Sequence, residues 1–313
     1  MSSSSPASTP SSALTPSLDH SEAALASRLR AAGCVFAEDE ALMIMSAARD
    51  AAELEEMVRR RVVGLPLEHV VGYAEFCGLR VEVDAEVFVP RRRTEALVQE
   101  AARCAPARAV VVDLCCGSGA LGVALAASLD EVELHAADVD PAAVRCARRN
   151  VTAAGGHVYE GDLFDALPEG LKGRVDVLLS NVPYVPTEEV ELLPSEARDH
   201  EARVALDGGT DGLHVLRRVV AEAATWLAPG GVLLFETSER QSGQAVAAVT
   251  AAGLHARVAT DDELDATVIV ASASASASAS ASASASASAS ASASASTVPA
   301  SVPPEAATSV DAF

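Results

Sequence analysis

The stretch Asn181-Val182-Pro183-Tyr184 combines residue types that can do chemistry. A short apolar run, Val175 to Leu179, precedes it and predicts a buried parallel strand. Asn181 therefore falls at the strand's C-terminal mouth, where open α/β sheets bind their ligands. Its carboxamide offers one carbonyl acceptor and an amide donor. Pro183 stiffens the loop by fixing its own φ, and Tyr184 supplies a flat face for a planar group. Such a loop suits gripping a planar amide or amino nitrogen. The plainer alternative is a turn in which Asn181 bonds its own backbone. The Pro and the aromatic that follow weigh against it.

A second group lies upstream. Gly117, Gly119 and Gly122 spell G-x-G-x-x-G after an apolar strand, and Asp138 lies 19 residues beyond Gly119. The pattern satisfies the dinucleotide fingerprint, but four residues, Asp113-Leu114-Cys115-Cys116, precede the first glycine. In dehydrogenases the first glycine follows the strand almost directly. The form D-x-x-x-G-x-G resembles instead the nucleoside-binding turn of class I methyltransferases that use S-adenosylmethionine. That resemblance implies a donor site formed by Asp113, Cys115, Cys116, Gly117, Ser118 and Gly119. It also implies Asp138 as acceptor for the ribose hydroxyls, Asp162 for the adenine amino group, and Leu163 against the ring.

With both groups in view, Asn181-Val182-Pro183-Tyr184 resembles the N-P-P-Y motif of the protein N(5)-glutamine methyltransferases of the HemK/PrmC type. These modify the Gly-Gly-Gln motif of peptide chain release factors. The similarity covers roughly residues 60–270. It includes Pro66-Leu67, Gly72, Phe76, Gly78, Val89-Pro90-Arg91, Thr94-Glu95 and Ala205-Leu206-Asp207-Gly208-Gly209-Thr210-Asp211-Gly212-Leu213. The chain departs from the family at three points. Val182 replaces the first proline, Arg91-Arg92-Arg93-Thr94-Glu95 replaces Arg-Pro-Glu/Asp-Thr-Glu, and the N-terminal helical part is short. The chain is identified as a divergent member. The resemblance implies that Asn181 Oδ1 and the Val182 carbonyl accept the two N–H bonds of a substrate amide. Pro183 would stiffen that loop and Tyr184 pack on the amide plane. S-adenosylmethionine would be the cofactor, and a protein the partner, with a release factor as the candidate.

The surrounding pattern predicts how these residues are positioned. Residues 1–18 read as a disordered Ser/Pro/Thr-rich leader and 19–69 as a helical N-terminal domain. Its helices run from Ser21, over Ala37–Arg49 with Leu42, Met45 and Ala48 inward, and over Ala52–Val63. Residues 70–95 alternate and read as a β-hairpin linker reaching Val89. The three arginines after it read as a solvated helix start or as a loop feeding the site. Residues 96–270 alternate strands and helices, with Pro229-Gly230-Gly231 as a turn and the last strand at Ala266–Val270. The fold class is α/β. It is a class I S-adenosylmethionine-dependent methyltransferase, Rossmann-like, with a mostly parallel seven-stranded sheet and a small N-terminal helical domain. Residues 271–313 read as a disordered tail, since Ala-Ser repeats thirteen times from Ala271.

Charge and cysteine use narrow the function. Acidic residues outnumber basic ones 44 to 23, a formal net charge of −21. Such a surface repels phosphate backbones and argues against nucleic acid. The rival it disfavours is an amino-methyltransferase acting on adenine or cytosine, which uses a related loop. A nicotinamide dehydrogenase and a catalytically dead binding domain are the other rivals. The six cysteines (Cys34, Cys77, Cys104, Cys115, Cys116, Cys146) show no metal spacing and suit a reducing cytoplasm. Neither a signal peptide nor a membrane-spanning run is expected.

Overall fold

The computed structural model describes residues 19–273. The leader 1–18 and the tail beyond residue 273, both expected to be disordered, lie outside the described residues. Four helices open the fold: α1 (Glu22–Ala31), α2 (Ala37–Ala47), α3 (Ala51–Val62) and α4 (Leu67–Val71). Ser21 caps α1 by accepting from the Ala24 amide, and Asp50 caps α3 by accepting from Ala52 and Glu53. Their shared core is Leu25, Leu29, Ala37, Ala41, Ile44, Leu54, Val58 and Val70. The inward face expected of α2 needs correction. Leu42 and Met45 are well exposed, at 48% and 37%, whereas Ala37, Ala41 and Ile44 are fully buried. The small alanines form the packed stripe against α1. Helix α4 was not anticipated, because five residues are too short for a periodic signal.

The linker hairpin is also shorter than expected. Strands β1 (Tyr73–Phe76) and β2 (Leu79–Glu82) pair antiparallel. Cys77 and Gly78 between them both take positive φ, as a tight two-residue hairpin turn requires. Val83, Val87 and Val89 are buried but lie outside any strand. The backbone breaks at Glu86, which has φ +69°. The Val89 amide then donates to the carboxylate of Glu201 rather than to a strand partner.

The main domain begins with α5 (Glu95–Cys104) and continues through β3 (Arg108–Leu114), α6 (Ala120–Ala127), β4 (Glu131–Asp138), α7 (Pro141–Ala153), β5 (His157–Glu160) and β6 (Val175–Ser180). Next come α8 (Ser195–His200), α9 (His214–Trp226), β7 (Leu227–Thr237), α10 (Glu239–Ala251), β8 (Leu254–Asp261) and β9 (Ala266–Ala273). The seven strands lie in the order β5-β4-β3-β6-β7-β9-β8. The first five run parallel, and β9 is antiparallel to both its neighbours. From β3 the chain winds outward through β4 and β5, then returns to β6 on the other side of β3. The strand order reverses there, and open sheets bind ligands at such a crevice. Each face of the sheet carries its own apolar cluster under the helices.

Two strand boundaries differ from expectation. Pro229-Gly230-Gly231 does not separate α9 from its strand, because β7 runs through it as an irregularity. Val175 pairs with Leu227 and Val177 with Val232. A Cβ on Gly231 would stand 2.4 Å from the Val175 carbonyl oxygen, so only glycine lets the strands approach there. Strand β9 runs past Val270 to Ala273. β7 and β8 flank it on both sides and supply main-chain partners that do not depend on side chain.

Candidate active site

A cavity of about 840 Å³ opens at the C-terminal ends of β3, β4, β5 and β6. The turn after β3 is its floor. Cys115, Gly117 and Gly119 all take positive φ, and the Gly119 amide closes the turn onto the Cys116 carbonyl at 2.7 Å. The Gly117 amide donates to Asp138 Oδ2 at 2.8 Å, joining the turn to the end of β4. The Asp140 amide donates to Asp138 Oδ1 at 2.9 Å. Burial pushes the Asp138 carboxyl up, opposed by these two amides. Ser118 is almost fully buried, and its Oγ has no partner among the described residues. Burial also pushes the Cys115 and Cys116 thiols up, which makes both weak nucleophiles.

The structure brings Cys115, Cys116, Gly117, Ser118, Asp138, Asp162, Leu163, Asn181, Val182, Pro183 and Tyr184 to this one cavity. Gly119 and Asp113 are the exceptions. Gly119 closes the turn without lining the cavity. Asp113 is fully buried and does not reach the cavity; its Oδ2 accepts from the Gly122 amide at 2.9 Å. Its place is beneath the turn, tying β3 to the first turn of α6. Asp162 Oδ2 pairs with Arg218 Nη2 at 2.7 Å on α9, an ion pair that leaves its other oxygen free to accept.

The acceptor side is built on the end of β6. Asn181 Oδ1 is shielded from solvent and has no hydrogen-bond partner among the described residues. The Val182 carbonyl accepts no main-chain bond from the described residues. Two neighbouring oxygens, one of a side chain and one of the main chain, are thus uncommitted. A buried acceptor without a donor costs about 1–3 kcal/mol, so such a pair is suited to a ligand that brings N–H groups. The Ala205–Leu213 stretch holds this loop in place. The Val185 amide donates to the Leu206 carbonyl at 3.1 Å, and the Gly208 amide to the Val185 carbonyl at 2.8 Å. Gln241 Nε2 donates to the carbonyls of Tyr184 and Asp211.

Between β6 and α9, 3-10 turns at Thr187–Leu192 and Arg203–Ala205 flank α8. Leu193, Pro194, Ala197, Val204 and Leu206 from this segment make an apolar roof. Glu201, just after α8, has a fully buried side chain and takes Arg91 Nη2 at 2.6 Å. Glu196 on α8 takes Arg61 Nη1 at 2.7 Å, and Arg61 also pairs with Glu40. The helical N-terminal part is thereby pinned to the roof of the site.

Sequence reasoning missed Thr94 Oγ1, which is buried at the cavity wall without a partner among the described residues. It also missed Glu236, at the end of β7. The run Val89-Pro90-Arg91 with Thr94-Glu95 pointed toward Thr94. Nothing in the local pattern pointed to Glu236. Of the two readings of the arginine run, the loop feeding the site is the one observed, since Arg91 and Arg93 both line the cavity.

The sheet order and this cavity define a class I methyltransferase fold. The family described as Methyltransferase small domain matches residues 92–211. A release factor glutamine methyltransferase of Geobacter sulfurreducens is 42% identical over 182 residues, covering 58% of this chain and 63% of that protein. The Mycolicibacterium smegmatis protein of the same name is 43% identical over 202 residues, covering 64% of this chain and 71% of that one. A 4-amino-L-phenylalanine/4-methylamino-L-phenylalanine methyltransferase of Streptomyces pristinaespiralis is 37% identical over 203 residues, covering 63% and 69%. The chain spans just under two thirds of the Geobacter protein's length. It belongs to the release factor glutamine methyltransferase family, whose members use S-adenosylmethionine. No helix among the described residues is long and apolar enough to cross a membrane.

The residues present fit that donor. The turn after β3 holds main-chain amides and the orphan Ser118 Oγ at the floor. Asp138 and Asp162 line the cavity with carboxylate acceptors, and Leu163 lines it with an apolar side chain. When bound, S-adenosylmethionine supplies an electrophilic methyl group on sulfur.

Proposed function

We propose that this chain methylates the side-chain amide nitrogen of a protein glutamine, in the Gly-Gly-Gln segment of a peptide chain release factor. The observation that carries the reading is the uncommitted pair of acceptors, Asn181 Oδ1 and the Val182 carbonyl, at the mouth of β6. An amide nitrogen is a poor nucleophile because its lone pair is delocalised into the carbonyl. Asn181 and Val182 each accept one of its two N–H bonds. They orient the nitrogen toward the donor and stabilise the positive charge that grows on it. The gain is one of orientation and electrostatics, and no strong base is required first, because the nitrogen becomes acidic as it is alkylated. Val182 keeps the carbonyl that a proline would offer, so the substitution costs rigidity rather than the acceptor. Tyr184 packs on the amide plane, and the apolar roof keeps water from the nitrogen.

The acidic balance of the chain and its relatives favour a protein acceptor over nucleic acid. With a release factor as substrate, the enzyme works in the cytoplasm. Incubation with isotopically labelled donor and release factors, followed by mass spectrometry of the Gly-Gly-Gln peptide, tests the reading. It expects one methyl group on the glutamine; label appearing only on other residues, or only on nucleic acid, would overturn it.

A further inference from the structure

Two of the three arginines at 91–93 make ion pairs with buried carboxylates, each with a different partner. Arg91 is committed to Glu201, but Arg93 binds a different pair of groups. Its Nε donates to Glu236 Oε1 at 2.9 Å, and its Nη2 donates to the Tyr184 hydroxyl. The Tyr184 hydroxyl in turn donates to the same Glu236 oxygen at 3.0 Å. Three groups from three distant parts of the chain therefore close a triangle. Glu236 is only 3% exposed, and its Oε2 has no partner among the described residues. It sits beside the acceptor loop, because its neighbour Phe235 pairs with Ser180 at the end of β6.

We propose that Arg93 is a positioning residue for methyl transfer: it holds Glu236, and through Glu236 the Tyr184 ring, in the one orientation that sets the ring face beside the Asn181 acceptor. This rests on the amide-methylating reading of the site. A guanidinium presents donors at fixed angles, so one arginine fixes two acceptors at once. A phenol resting on a buried carboxylate by a single bond is free to swing about it. Burial pushes the Tyr184 phenol up, so it keeps its proton and keeps donating. A lysine at this position would restore the charge without the fork.

The test uses the full chain, S-adenosylmethionine and a Gly-Gly-Gln peptide. It compares Arg93→Met, Arg93→Lys, Tyr184→Phe and the Arg93→Met/Tyr184→Phe double variant. Arg93 is half exposed but its partner Glu236 is buried, so thermal melting first establishes that each variant folds. Turnover falls about 10- to 100-fold in Arg93→Met and in Tyr184→Phe, as expected for a misplaced acceptor face. The double variant loses about as much as either single one. Affinity for S-adenosylhomocysteine, measured by calorimetry, changes less than about 3-fold, and Arg93→Lys recovers part of the turnover. Wild-type turnover in Arg93→Met, or losses that multiply in the double variant, would overturn the assignment.

A second readout needs no acceptor. With isotopically labelled tyrosine, the Tyr184 ring resonances move and average in Arg93→Met, while the wild type keeps one fixed environment. An unchanged ring spectrum would also overturn the assignment. If the wild type methylates no glutamine peptide, the amide-methylating reading fails, and the ring spectrum still decides whether Arg93 positions Tyr184.

Discussion

A Cβ placed on Gly212 would stand 2.2 Å from the carbonyl oxygen of Tyr184. Gly212 also has φ +74°, and a Cβ on Gly208 would stand 2.6 Å from the Pro183 carbonyl oxygen. The glycine-rich stretch is therefore the mould in which the acceptor loop is cast. Gly212→Ala combines a left-handed backbone with overpacking, for a destabilisation of about 3 kcal/mol. Urea melts measure the loss. Turnover falls further than S-adenosylhomocysteine affinity, because the displaced residues belong to the acceptor side.

Asp113 gives the fold a particular pH dependence. Burial pushes its carboxyl up to about 7 from an ordinary value of 3.8, against the pull of the Gly122 amide. Between about pH 4 and pH 7 the folded chain holds a proton that the unfolded chain releases. This contribution to stability is thus greatest below about pH 4, falls as pH rises toward 7, and is level above. A gap of that size corresponds to about 4 kcal/mol as a ceiling. Asp113→Asn keeps an acceptor for Gly122 and lacks the titration. The stability of the wild type relative to this variant therefore declines from pH 4 to pH 7. Urea melts at stepped pH check the slope, and parallel curves would refute the assignment.

Val182→Pro restores the residue typical of the family. The Val182 amide donates to no main-chain acceptor among the described residues, so the ring removes no such bond. The carbonyl is retained. The variant gains about 0.4–1 kcal/mol of stability from a stiffer unfolded chain, with turnover equal to the wild type or higher. A large loss of turnover would mean that the loop depends on the valine side chain, which is buried in the core.

How much of this was legible beforehand follows the range of each interaction. Val110 to Leu114 and Val175 to Leu179 are continuous apolar runs, and such runs identify buried strands without reference to anything distant. The donor turn and Asn181 announced themselves by local spacing. Asp113 did not separate from its neighbours, because a D-x-x-x-G-x-G pattern records position and not whether a carboxylate faces up or down. Leu42 and Met45 on α2 misled because apolar spacing alone does not say which face meets a neighbour. Glu236 was invisible, since its partners Arg93 and Tyr184 lie more than fifty residues away in either case. Short 3-10 turns and α8 lack enough residues to show a period, so the roof of the cavity could not be drawn in advance.

The central claim concerns the carboxamide of Asn181, and paired measurements on one variant test it directly. In Asn181→Ala, methyl transfer to a Gly-Gly-Gln peptide is followed with labelled donor, and S-adenosylhomocysteine binding is followed by calorimetry. The account predicts that turnover falls by about 10²–10³-fold while the donor product binds with an affinity within about 10-fold of the wild type, because Asp138 and the turn after β3 remain. Wild-type turnover in that variant would contradict it.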